Sequence, residues 1–222
     1  MPNIVTHMII SEAVAPQASP DFRLASAMPD FVGMARDFRG SQTTVRELSQ
    51  NPLLKEGIAL HIATDGVFDQ LPLSRQLISD ARADMEAMGL PRGAVRVCAD
   101  VGTEILLDGV MMGIGNNPTY NKVSGYIVRG ESVLDTIEDI ELVSLIRDYF
   151  ATNRPNKYRD PEAVASMLQY RLSCRKNGKL QFDEDLIPDV AEAFKKQQKR
   201  LRRIGQKLID ETIDGLKASR AN

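Results

Sequence analysis

Apolar residues recur at helical spacing along almost the whole chain. Positions 4, 5, 8, 9, 10, 13 and 14 are apolar, which predicts a nearly all-buried helix over 3–15, ended by Pro16 and Pro20. A short helix follows through Met28, with Asp21 as its N-cap or first-turn acid. Residues 33–52 are rich in Gly, Arg, Ser, Thr and Gln and predict a polar connection closed by Asn51-Pro52. Residues 52–69 read as a helix with proline at its start. Positions 73, 77, 78, 81, 85 and 88 make an amphipathic helix over 74–88, closed by Gly89. Another helix starts at Leu90-Pro91 and runs to about Met112. The glycine-rich stretch 109–130 predicts a loop with one short ordered segment over 122–128, and such long loops often border sites. Helices follow over 132–150 and over 161–172, the second capped by Asp160, with a polar basic turn at 153–158 between them. A turn at Asn177-Gly178 leads to a long charged helix over 183–217, kinked near Pro188. No stretch alternates as a strand would. The expected fold is all-α: one domain over 1–222, a multi-helix bundle with a core at about 1–112 and helices of 130–222 packed on it.

Composition narrows the function classes. The chain has 222 residues, 43% of them hydrophobic, enough for one sizeable core. A net charge of −2 and a pI of about 5.8 give no footprint for nucleic acid. The basic run 195–203 reads as the solvated face of the long helix. No apolar run is long enough to span a bilayer, and residues 1–11 lack the basic start of a signal peptide. Cys98 and Cys174 do not make a disulfide framework. These features point to a cytoplasmic protein without nucleic-acid or membrane partners. There is no phosphate-cradling glycine loop, paired-cysteine zinc pattern or recognisable nucleophile triad.

The candidate chemistry gathers around the only two histidines, His7 and His61. His61, Asp65 and Asp69 follow one another at intervals of four, so on a helix they share a face. A polar trio in an otherwise apolar helix needs a partner. A divalent metal is one, and a cation such as Arg75 is another. His7 is either a core histidine satisfied by a carbonyl or carboxylate, or a ligand. Asp30, wedged between Met28-Pro29 and Phe31-Val32, is either a helix cap or a metal-bound carboxylate. Asp100, Glu104 and Asp108 form a second column at the same spacing. It is either a solvated face or, given its apolar surroundings, a site for a cation.

In order along the chain, Asn3-Ile4-Val5-Thr6-His7, Pro29-Asp30-Phe31-Val32, the block Gly57-Ile58-x-x-His61-x-x-x-Asp65-x-x-x-Asp69-x-Leu71-Pro72-x-x-Arg75, and Asp100 of the next helix resemble the acyl carrier protein phosphodiesterases. That family is a divergent branch of the HD-domain phosphohydrolases. The resemblance implies an HD-domain-like helical fold and a divalent metal, manganese or magnesium, with iron or zinc admitted by the imidazoles. It implies hydrolysis of the phosphodiester that joins 4′-phosphopantetheine to acyl carrier protein, a step linked to fatty acid biosynthesis. His7, Asp30, His61 and Asp100 would be the metal ligands, with Asp65 a further ligand or the group orienting water. Asp69 would hold Arg75, and Arg75 would meet phosphate. An acidic carrier protein would dock on Lys195, Lys196 and Lys199. One departure stands out. Where the family has an Asp-His pair, this chain has Glu104 and Ile105, which keeps an acid and loses the histidine. Two other expectations therefore stand beside the first: an HD-type hydrolase of another small phosphoester, and a helical binding protein that has lost catalysis.

Overall fold

The computed structural model describes residues 3–113, 131–152, 154–174 and 181–221. Within them the chain is all-α, twelve helices in one bundle with no strand. Helices α1 (Ile4–Val14), α2 (Pro20–Ala25) and α3 (Met28–Arg39) come first. They are followed by a one-turn α4 (Val45–Leu48), α5 (Pro52–Phe68), α6 (Pro72–Glu86) and α7 (Arg92–Gly113). After the segment outside the described residues come α8 (Glu131–Leu134), α9 (Ile140–Ala151), α10 (Arg154–Lys157) and α11 (Pro161–Ser173). A 3-10 turn, Glu184–Leu186, leads into α12 (Ile187–Ala221).

The long α12 is the spine. It packs on α7, α11, α6, α5 and α1, and its apolar side (Val190, Phe194, Leu201, Leu208, Leu216) is buried. This agrees with the apolar spacing of the sequence. Pro188 sits in the first turn of α12, so it starts the helix instead of kinking it. The expected polar connection at 33–52 is also corrected. Residues 33–39 continue α3, because Val32, Met34 and Ala35 are buried while the arginines and Gly33 lie on the other side. Gly40 then ends α3 in the left-handed region, at φ 70°. The single helix expected over 132–150 is two, broken where the Asp139 carboxylate caps α9 by accepting from Leu142 N–H. The expected loop at 109–130 begins later than the glycines suggested, since α7 runs through Gly113. Its remainder and the Asn177-Gly178 turn lie outside the described residues.

Two local devices set the first three helices. Arg23 is buried and donates to the carbonyls of Pro16 and Ser19 in the α1–α2 turn, and its Nε pairs with Glu12. Gly57 lets α5 cross α2 closely, because a Cβ there would overlap Ala25 and the Phe22 carbonyl. That crossing, one turn before His61, decides what the imidazole meets.

Candidate metal centre

Three helices bring four side chains together around the two histidines. His7 comes from the middle of α1, Asp30 from the first turn of α3, and His61 and Asp65 from adjacent turns of α5. The imidazoles stack with centroids 3.7 Å apart and an interplanar angle of 19°. His7 Nε2 lies 3.3 Å from Asp65 Oδ1 and 3.9 Å from Asp30 Oδ2. His61 Nε2 lies 3.3 Å from the other Asp65 oxygen. One carboxylate thus spans both rings. Ligand atoms of His7, Asp30 and His61 all fall within 4.8 Å of one another, close enough to hold a single ion.

The orientation of His61 follows from the α2–α5 crossing. Its Nδ1 lies 2.9 Å from the Ser26 carbonyl oxygen, which closes the α2 end. As a donor to that carbonyl, Nδ1 carries a ring proton, and Nε2 faces Asp65 and His7, where it can donate to the Asp65 carboxylate when protonated or offer a lone pair to an ion when not. The latter is the usual arrangement of a ligating histidine. His7 is fixed through its helix. Asn3 provides no side-chain cap for α1. Asp108, from α7, accepts from the N–H groups of Val5 (3.0 Å) and Thr6 (2.8 Å) and from the Thr6 hydroxyl (2.7 Å). A carboxylate at a helix N-terminus is favoured by both the orphan donors and the dipole.

Several enclosed polar atoms of the centre have no hydrogen-bond partner among the described residues. They are both ring nitrogens of His7, Asp30 Oδ2 and Asp65 Oδ1. Buried polar atoms are rarely left so, and a cation held among them could be the missing partner. Of the carbonyl or carboxylate that the core-histidine reading allowed, His7 meets the Asp65 carboxylate at 3.3 Å, and its Nδ1 has no hydrogen-bond partner among the described residues. Asp30 does not cap α3, since Ala27 holds that position and makes no side-chain cap.

Electrostatics separate the four groups. Burial and then the nearby His61 push His7 down to about 4, against the pull of Asp65. Burial also opposes charge on His61, but Asp65 and Asp30 outweigh it and hold this imidazole above its ordinary value. Burial disfavours charge on Asp65 too, and the two imidazoles overcome it and keep the carboxyl well below the usual range. Burial lifts Asp30 to about 7, with Asp65 adding to the rise and His61 opposing it. Without a cation the centre therefore stores a charged His61–Asp65 pair, a neutral His7 and an Asp30 that holds a proton easily. Two neutral imidazoles and two carboxylates would balance a divalent cation.

The remaining sequence candidates separate. Asp100 is not brought to the histidines. Its carboxylate takes a fork from Arg82 at 2.8 and 3.0 Å, with Arg96 at 3.8 Å. One turn on, Glu104 faces inward and lines a cavity of about 160 Å³ with Asp30, Ile105 and Tyr158. Burial, with Asp30 adding to the rise, holds its carboxyl well above the usual range. Glu104 also borders a groove of about 400 Å³ that contains Asp69, Arg75, Arg82 and Asp100. Arg75 Nε donates to the Asp69 backbone carbonyl at 3.0 Å, so that contact uses the main chain of Asp69 where the sequence suggested its carboxylate. Sequence reasoning missed two participants. Asp108 was visible as the last acid of its column, but its partner lies over a hundred residues away. The Ser26 carbonyl left no side-chain signal at all.

The chain matches no family model, no curated protein and no solved structure. The chemistry assigned to the centre therefore rests on its own geometry.

Proposed function

We propose that this protein is a metal-dependent phosphohydrolase acting on a phosphodiester. The observation that carries the reading is the convergence of two stacked imidazoles and two carboxylates whose enclosed atoms lack other partners. His7, Asp30 and His61 would hold the ion, with Asp65 bridging the two imidazoles. Mixed nitrogen and oxygen donors suit manganese, iron or zinc, and the carboxylates suit magnesium. A divalent cation there would polarise a phosphoryl oxygen and acidify water, the two services metal hydrolases draw on. The chain's own groups supply the rest. Ser26 holds the His61 tautomer, and Asp65 can receive a hydrogen bond from water beside both rings. Glu104 stores a proton next to Asp30 and can give it to the departing oxygen as the P–O bond breaks. Arg75, across the groove from Glu104, supplies positive charge for a phosphate. Acyl carrier protein remains the proposed substrate that the motif resemblance suggests, with the exposed Lys195, Lys196 and Lys199 on α12 as its docking face.

Ile105 favours a second reading. It is buried and lines the cavity beside Asp30, at the position where the resembled family carries histidine. A protein that kept the fold and lost catalysis would keep such a wall.

Elemental analysis after manganese loading is the first step, and turnover then decides between them. About one ion per chain is expected, absent from Asp30→Ala and His61→Ala. Manganese at about 100 times its Kd should stabilise the fold by about 2.7 kcal/mol if it binds the native state alone, read as a rise in Tm. Mass spectrometry of holo acyl carrier protein and of bis(p-nitrophenyl) phosphate then tests hydrolysis. An ion bound with no turnover of either compound would favour the binding protein, and no ion would end the hydrolase reading.

A further inference from the structure

A third cavity, of about 470 Å³, lies between α3, α9, α10 and α11. Its walls join three cations with aromatic and apolar surface: Arg39, Arg154 and Lys157 with Tyr158, Met167 and Tyr170. Among the described residues no carboxylate lines it. Arg39 is held by Asp148 at 2.7 Å and Glu141 at 3.8 Å. Arg154 and Lys157, three residues apart on the single turn of α10, have no ion pair among the described residues. The cavity therefore presents two positive charges without an ion pair among the described residues, over an apolar floor, in a chain whose net charge is −2. Its volume is in the range of small-molecule sites. An arginine and a lysine on an aromatic wall recognise an anionic head on a flat or apolar body.

Tyr158 and Met167 line this cavity and also the one that holds Asp30 and Glu104. These two residues make the cavities neighbours. We infer that the Arg154–Lys157 cavity binds the anionic, apolar end of the molecule whose phosphoester is presented to Asp30. This deepens the hydrolase reading and rests on it for the second half alone. It narrows the substrate class to phosphodiesters that carry a second negative group attached through an apolar or aromatic segment.

Two probes test the inference by calorimetry, without turnover. Naphthalene-2-sulfonate has the head and body but no phosphoester. It should bind the chelator-treated protein at one site. Its Kd should rise at least tenfold in Arg154→Ala/Lys157→Ala and stay within twofold in Asp30→Asn. Arg154 is half-buried and Lys157 exposed, and Lys157→Ala alone, expected to raise the Kd at least threefold, guards against misfolding of the pair. An unchanged Kd in the double variant, or binding lost in Asp30→Asn, would overturn the assignment. Bis(4-carboxyphenyl) phosphate, offered to the manganese-loaded protein, should need both sets of residues, with each variant weakening it at least tenfold. Dependence on Arg154 and Lys157 alone would sever the cavity from the metal centre. A protein that takes up no manganese yet still binds naphthalene-2-sulfonate through Arg154 and Lys157 would sink the hydrolase reading and leave the cavity assigned.

Discussion

Asp30 and Asp108 are carboxyls that burial lifts to the same level, about 7, and they could hardly be used more differently. Asp108 is fully enclosed and accepts three hydrogen bonds from the start of α1. Asp30 stands at a cavity mouth with 23% of its side chain exposed, and its enclosed oxygen has no partner. A buried acid that has its donors is architecture. A buried acid that lacks them, beside a His7 ring whose nitrogens also lack hydrogen bonds, is a place made for something else. Burial and altered acidity alone do not distinguish the two, and the supply of hydrogen-bond donors does.

Substitutions can break this contrast, starting with the largest effect. Asp108→Ala strands two N–H groups and a hydroxyl. With about 1–3 kcal/mol for each unsatisfied group, a loss of at least ~3 kcal/mol is expected in denaturant melts. It should carry the metal site with it, because α1 brings His7. A loss below ~1 kcal/mol would show that α1 does not depend on this cap. Next in size, Gly57→Ala forces α5 away from α2, where Ala25 and the Phe22 carbonyl leave no room for a methyl. Overpacking of this kind costs about 1–3 kcal/mol, and manganese affinity should fall as His61 leaves the Ser26 carbonyl. Stability lost with affinity unchanged would mean that the crossing does not set the imidazole.

Asp30→Asn sharpens the comparison through its sign. The folded state holds a proton on Asp30 up to about pH 7 that the unfolded chain releases near pH 4. Metal-free stability therefore falls as pH climbs through that window. His7 acts oppositely between about pH 4 and 6.5, because its folded value lies below the unfolded one. Asparagine removes the Asp30 contribution alone. At pH 8 the metal-free Asp30→Asn protein should exceed wild type by about 1 kcal/mol, as expected when an uncompensated buried charge is removed, while the manganese shift disappears. An Asn variant that is less stable than wild type at pH 8 would place Asp30 among the structural acids. The smallest effect belongs to Asp100→Asn. Its partners Arg82 and Arg96 are 47% and 82% exposed, so the change should stay within about 1 kcal/mol and leave metal content intact. Loss of the ion would restore Asp100 as a ligand.

Much of the helical layout was legible in the chain. Apolar spacing located α1, α5, α6, α7, α11 and α12, and prolines and Gly89 marked their ends. It misjudged residues 33–39, where arginines and a glycine hid a narrow buried line of Met34 and Ala35 behind a polar face. It also missed the break before α9, although Asp139 with Leu142 three residues later is a recognisable cap. At the site, the spacing of His61 and Asp65 was enough to put them on one face, and the outcome is a contact of 3.3 Å. The acid column of α7 shows where such reasoning stops. Spacing placed Asp100, Glu104 and Asp108 along one side but was silent on what lay opposite. Tertiary packing gave one acid to Arg82, one to the cavity of Asp30 and one to the end of α1.

The stacking of His7 on His61 gives the molecule a reporter of its own. These are the chain's only imidazoles, so every histidine ring signal in a proton or nitrogen NMR spectrum arises from the centre. At a centroid separation of 3.7 Å, each ring lies in the shielding cone of the other, which moves its carbon-bound protons upfield. Their titrations should be far apart, one displaced towards acid and the other towards base. Capture of an ion would abolish both titrations together, with no label, tag or engineered probe.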